Sequence, residues 1–149
     1  MQTENRIMIK GDKRRIFAIA SEISDWPRLL PHYRWVRILS DDGRVRQAEM
    51  AARRGRFPVR WRTSQVLLPE EDRIIFFHTG GITRGMYVEW RLADGPEGCV
   101  EVTISHELSY PLPIVTGWFT RRIVGELFIH AVAGRTLARV KEIVETGIV

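Results

Sequence analysis

The stretch Ala133-Gly134-Arg135-Thr136-Leu137-Ala138-Arg139-Val140-Lys141-Glu142-Ile143-Val144-Glu145 decides the fold class. Within it Ala133, Leu137, Val140 and Val144 recur at i, i+4, i+7 and i+11, which draws one apolar stripe along a helix. Traced backwards, the helical period reaches residue 115, just after the break Pro111-Leu112-Pro113. The spacing thus predicts a helix over 115–145, about 45 Å long at 1.5 Å per residue. Such a helix must bury its stripe, so the fold depends on what precedes it.

What precedes it alternates. Residues 33–40 and 45–53 flank Asp41-Asp42-Gly43, whose Asp-Gly pair signals a hairpin. Strands follow at 57–68, 73–80, 84–93 and 99–108, separated by Pro69-Glu70-Glu71-Asp72, Gly80-Gly81 and Asp94-Gly95-Pro96-Glu97-Gly98. Short loops make antiparallel neighbours. Further upstream, residues 5–10 read as a strand, and Gly11-Asp12 as the N-cap of a helix over 13–23. A second short helix opens at Ser24-Asp25, holds Pro27 in its first turn and stops at Pro31. This order predicts an α+β fold: a curled antiparallel sheet of six to seven strands wrapped around a long C-terminal helix, with two short helices after the first strand. Curled sheet and helix leave a space between them unless large side chains fill it. Gly117, Gly125 and Gly134 on the helix suit either close packing or room for a ligand.

Composition narrows the function. The chain has 149 residues and a mass of 17.3 kDa, enough for a single domain over 1–149 with one core. Apolar residues make up 44% and charged residues 28%, the balance of a folded soluble protein. No apolar run approaches the roughly 18 residues of a membrane span. Met1-Gln2-Thr3-Glu4-Asn5 lacks the basic and apolar regions of a signal peptide, so a cytoplasmic location is expected. A single cysteine, Cys99, excludes an intrachain disulfide or a cysteine-based zinc site. Net charge is 23 − 18 = +5, yet the arginines are scattered and no nucleic-acid motif accompanies them. Nucleic acid is not an expected partner. There is no serine nucleophile elbow or phosphate loop, and His32, His78, His106 and His130 share no metal spacing, so neither metal nor cofactor is expected.

Strand parity selects the side chains that face the helix. In 57–68 these are Phe57, Val59, Trp61, Thr63, Gln65 and Leu67, with Arg60, Arg62 and Ser64 opposite. In 84–93 they are Met86, Val88, Trp90 and Leu92; in 99–108 they are Val100, Val102, Ile104, His106 and Leu108. The lining is apolar with sparse polar groups, the composition of a small-molecule site. A filled core with hydrogen-bonded histidines would have the same pattern.

Ser24-Asp25-Trp26-Pro27-Arg28-Leu29-Leu30-Pro31-His32-Tyr33, followed by Val36-Arg37-Ile38-Leu39, resembles the START-like (SRPBCC) superfamily. The nearer likeness is to its polyketide cyclase/dehydrase and coenzyme-Q-binding branch. Glu107-Leu108-Ser109-Tyr110-Pro111, Trp118-Phe119 and the ending Val140-Lys141-Glu142-Ile143-Val144-Glu145 extend the likeness over the chain. The resemblance implies the helix-grip fold and a cavity between sheet and helix. Its ligand-facing set would be Trp26, Leu30, Tyr33, Trp61, Thr63, Gln65, Met86, Trp90, Ile104, His106 and His130. His130 falls where polyketide aromatase/cyclases carry a polar pocket residue, and Tyr33 matches a pocket tyrosine, so both are candidate acid–base groups. An inward serine and arginine of those cyclases align with Thr63 and Gln65, and glutamine carries no charge for an oxyanion. Arg62 has the wrong parity unless a bulge intervenes.

Two functions follow. The first is binding of a lipid, quinone or polyketide-like aromatic in the cavity; the second is a cyclase or dehydratase using Tyr33 and His130. Trp118-Phe119 beside Arg121-Arg122 suits transient contact with an anionic membrane, or packing at the helix start. Monomer and homodimer are both compatible with the sequence.

Overall fold

The computed structural model describes residues 2–81, 83–108 and 129–147, with backbone alone at Arg54 and Phe57. Seven strands form one sheet: β1 (Gln2–Lys10), β2 (Tyr33–Asp41), β3 (Val45–Arg54), β4 (Phe57–Leu68), β5 (Arg73–Gly81), β6 (Tyr87–Asp94) and β7 (Cys99–Glu107). Their order is β1-β7-β6-β5-β4-β3-β2, antiparallel throughout. Between β1 and β2 lie α1 (Lys13–Ser21), a 3-10 turn (Ile23–Asp25) and α2 (Trp26–Leu29). The last helix, α3, spans His130–Thr146. This is the helix-grip arrangement, and the curled sheet carries its short helices after the first strand.

Local chemistry fixes the turns. Asp42 Oδ1 accepts the N–H groups of Arg44 and Val45 at 2.9 and 2.8 Å, closing the β2–β3 hairpin. Asp12 caps α1 by accepting the Arg14 N–H at 2.9 Å. Pro27 sits in the first turn of α2, where its missing N–H costs nothing.

The α3 stripe is buried as its spacing predicts: Ala133, Leu137, Val140 and Val144 are all under one-tenth exposed. Polar contacts fix the direction in which the helix lies. Asn5 Nδ2 donates to the His130 carbonyl at 3.1 Å, Lys141 Nζ to the Met8 carbonyl at 2.7 Å, and the Lys10 N–H to Glu145 at 3.0 Å. Both segments ascend together in residue number, so α3 runs alongside β1 in the same direction. On its other side Arg139 Nε donates to the Leu29 carbonyl of α2 at 2.9 Å.

Several boundaries differ from expectation, among them the start of β1, which lies at Gln2 rather than at residue 5. β6 begins at Tyr87 rather than at residue 84, because the turn before it is longer than Gly80-Gly81. Gly81 and Gly85 both adopt positive φ, and pairing resumes only where the His78 N–H meets the Met86 carbonyl at 2.9 Å. The helix over 13–23 ends at Ser21, and Ile23 opens the 3-10 turn instead. The expected helix over 115–129 with Gly117 and Gly125, and the aromatic–arginine group Trp118, Phe119, Arg121 and Arg122, lie outside the described residues apart from Ile129.

Candidate functional site

Strand pairing sets the inner face of the sheet in ranks. Gln65 opposes Phe76, Phe76 opposes Val88, Val88 opposes His106, and His106 opposes Thr3. The next rank runs Leu67, Ile74, Trp90, Ile104, Asn5. The parity read from sequence holds: Trp61, Thr63, Gln65, Met86, Val88, Trp90, Leu92 and Ile104 are buried. Arg62 stays outside, its Nε on Glu49 at 3.0 Å. The register shift beside it skips Thr79 on β5, so the facing of β4 does not invert.

Trp26 lies at the middle of an aromatic layer on this face. Its ring centroid is 4.9 Å from Tyr33 and 5.9 Å from both Phe76 and Trp90, while its Nε1 donates to the Ile19 carbonyl at 3.1 Å. Tyr33 in turn meets Trp61 at 6.2 Å, and Trp61 stacks on His78 at 5.6 Å. Leu30, the C-cap of α2, is fully buried.

The polar residues divide by what they bond. Thr63 donates to the Phe77 carbonyl at 3.2 Å, so its proton serves the sheet. Gln65 Nε2 donates to the Ser21 carbonyl at 2.9 Å, which leaves Oε1 buried without a partner. His106 likewise has a buried Nδ1 without a partner. Burial, then the nearby His130, lowers the His106 pKa to about 4, so this ring is neutral at pH 7. His130 itself is exposed on the first turn of α3. Tyr33 is raised to about 12 by burial, so it keeps its proton and acts as a hydrogen-bond donor.

The family model for polyketide cyclase / dehydrase and lipid transport matches residues 10–133. The chain belongs to this family. Among curated proteins no sequence match was found. Solved structures share the fold at low identity. A protein from Thermus thermophilus is 17% identical, with full coverage of both chains and a TM-score of 0.84. The Zhui aromatase/cyclase from a Streptomyces species is 14% identical, covers 97% of this chain and 93% of its own, and has a TM-score of 0.83. A START superfamily protein from Mycobacterium smegmatis is 14% identical, covers 99% of each chain and has a TM-score of 0.68.

Four groups beside the aromatic layer escaped the sequence reading. His32 Nε2 lies 2.8 Å from Thr136 Oγ1, and that hydroxyl donates to the Val132 carbonyl at 2.8 Å. Its one proton being spent, Thr136 must accept, so His32 is the Nε2–H tautomer. Thr136 also holds the Tyr33 pKa down slightly against the effect of burial. His78 Nδ1 pairs with Thr83 Oγ1 at 2.6 Å. Burial lowers His32 to about 4 and His78 to about 3, so both are neutral. Among the described residues no cluster of His, Cys, Asp or Glu could hold a metal ion, and no helix is long and apolar enough to cross a membrane.

Proposed function

We infer that the protein binds a hydrophobic small molecule between the inner face of the sheet and the C-terminal helix. One observation carries this reading: an aromatic layer of Trp26, Tyr33, Trp61, Phe76 and Trp90 shares the inner face of the sheet with buried polar atoms, Gln65 Oε1 and His106 Nδ1 among them, that no described residue satisfies. Buried polar atoms in a core are ordinarily paired, and several orphans on one face call for a partner from outside the chain. The decisive experiment is native mass spectrometry of protein purified from its own host, followed by denaturing extraction of whatever is bound. A stoichiometric lipid, quinone or polyphenol is the expected result. Protein that is empty as isolated, and that takes up none of these when they are added, sinks the reading.

A cyclase or dehydratase at the same face is the second reading, favoured by the family match over residues 10–133. In it Tyr33 donates a hydrogen bond to a substrate carbonyl, His130 exchanges a proton, and Gln65 Oε1, with Thr63 as a further acceptor, orients the chain through its enol hydroxyls. It requires turnover of a poly-β-keto thioester that Tyr33→Phe and His130→Ala both abolish.

A further inference from the structure

Among the described residues, four side chains hold a polar atom that is sealed from solvent without a partner, since Arg46 Nε has Asp41 at 3.1 Å, and three of the four are neighbours: Thr3 Oγ1, Asn5 Oδ1 and His106 Nδ1. Thr3 and His106 oppose each other across β1 and β7, with Cβ atoms about 5 Å apart in such a pair. Asn5 is two residues along the same face of β1. The orientation of the Asn5 amide is chemically fixed, because its Nδ2 donates to the His130 carbonyl, which can only accept. Oδ1 is therefore an acceptor awaiting a donor. Thr3 Oγ1 can donate or accept, and the His106 ring, being neutral, offers either an N–H or a lone pair.

The geometry points to Thr3, Asn5 and His106 as the end of the ligand site that receives a hydroxyl group, so that the ligand is a phenol or other hydroxylated molecule rather than a ketone, quinone or plain hydrocarbon. This rests on the reading that the inner face of the sheet binds an apolar molecule. A hydroxyl donates to Asn5 Oδ1 and accepts from the Thr3 hydroxyl at once. A carbonyl oxygen offers no proton to Asn5, and its approach leaves that acceptor desolvated and unpaired.

Calorimetric titration of 1-naphthol and 1-methoxynaphthalene separates the possibilities, because the two differ in the donor and share the apolar body. Wild-type protein should prefer 1-naphthol about five- to tenfold, the worth of one to two hydrogen bonds. In Thr3→Val and Asn5→Leu that preference should fall to within about twofold, with affinity for the ether retained. Asn5→Leu also removes an anchor of α3, so Thr3→Val is the safer variant. Its ligand-free melting midpoint should be no lower than wild type, since it deletes an unsatisfied oxygen; a hydroxyl with a structural role would shift the midpoint down. Equal affinity of wild-type protein for both compounds overturns the hydroxyl site, because solvent then satisfies these atoms, and leaves the apolar site standing. Saturable binding of neither compound overturns both.

Discussion

Thr136 illustrates how much one hydroxyl can organise. It donates to the Val132 carbonyl and accepts from His32, tying α3 to the junction of α2 and β2. Thr136→Val keeps the volume but takes from the buried His32 Nε2 its hydroxyl partner, leaving the Val132 carbonyl to serve it alone. The expected loss is about 1–3 kcal/mol, read from urea unfolding. Tyr33→Phe leaves Thr136 with His32 as its donor and should cost about 1 kcal/mol or less. An unchanged urea midpoint in Thr136→Val would dispose of this clamp. Such pairings were not legible in sequence. His32 and Thr136 stand 104 residues apart, and neither carries a periodic signal that the other is its partner. Thr3 and Asn5 were obscured differently. The apolar alternation that marked the first strand begins only at residue 5, while the pairing that extends it to Gln2 comes from β7. Inward facing on β4, β6 and β7 was legible, because parity is a local property and Trp61, Trp90 and Ile104 obey it.

At the scale of elements, turn chemistry placed the strands and failed where one turn carried two signals. Asp41-Asp42-Gly43 closes its hairpin with side-chain bonds that the sequence announces. Gly80-Gly81 reads as a complete turn, whereas the chain continues to Gly85 and is held by the His78–Thr83 contact. Gly81 is the residue that turn cannot exchange. Its φ is +93°, and an added Cβ would stand 2.6 Å from the Arg60 carbonyl oxygen and 2.9 Å from Trp61 Cα. Gly81→Ala should therefore cost about 2–4 kcal/mol, since neither backbone atom can move aside freely. Gly134 is the opposite case. A Cβ there meets only Asn5 Nδ2, at an ordinary 3.5 Å, so Gly134→Ala should stabilise α3 by up to about 1 kcal/mol. Thermal melts of the two variants should move in opposite directions, and movement in the same direction would refute the contrast.

For the whole molecule, three buried neutral histidines make stability depend on pH. His32, His78 and His106 titrate near 6.5 when unfolded, and burial takes them to about 4, 3 and 4 in the folded chain. Between those values the unfolded chain binds protons that the folded chain refuses, so stability falls as pH falls. For His78 and His106 the slope is up to about 1.4 kcal/mol per pH unit each, with a smaller share from His32. Unfolding free energy should be nearly level from pH 7 to 8 and decline from about pH 6.5 towards 4. Asp42 and Glu145 join only at lower pH, because backbone N–H bonds hold both below the usual carboxylate range. His78→Phe keeps the stacked ring without the proton and should flatten the decline. A urea series over pH 4–8 checks this, and a flat curve for wild type would remove the buried-neutral assignment.

The position of β1 also sets an order of events. Its strand partner is β7, along which Gln2 meets Glu107 and Lys10 meets Cys99, and the helix that lies beside it begins at His130. On a ribosome, every other strand has its next neighbour in the sheet as soon as the following hairpin emerges. β1 must wait for a loop of about a hundred residues to close, the slow kind of contact in any chain. The first strand synthesised is the last to be paired.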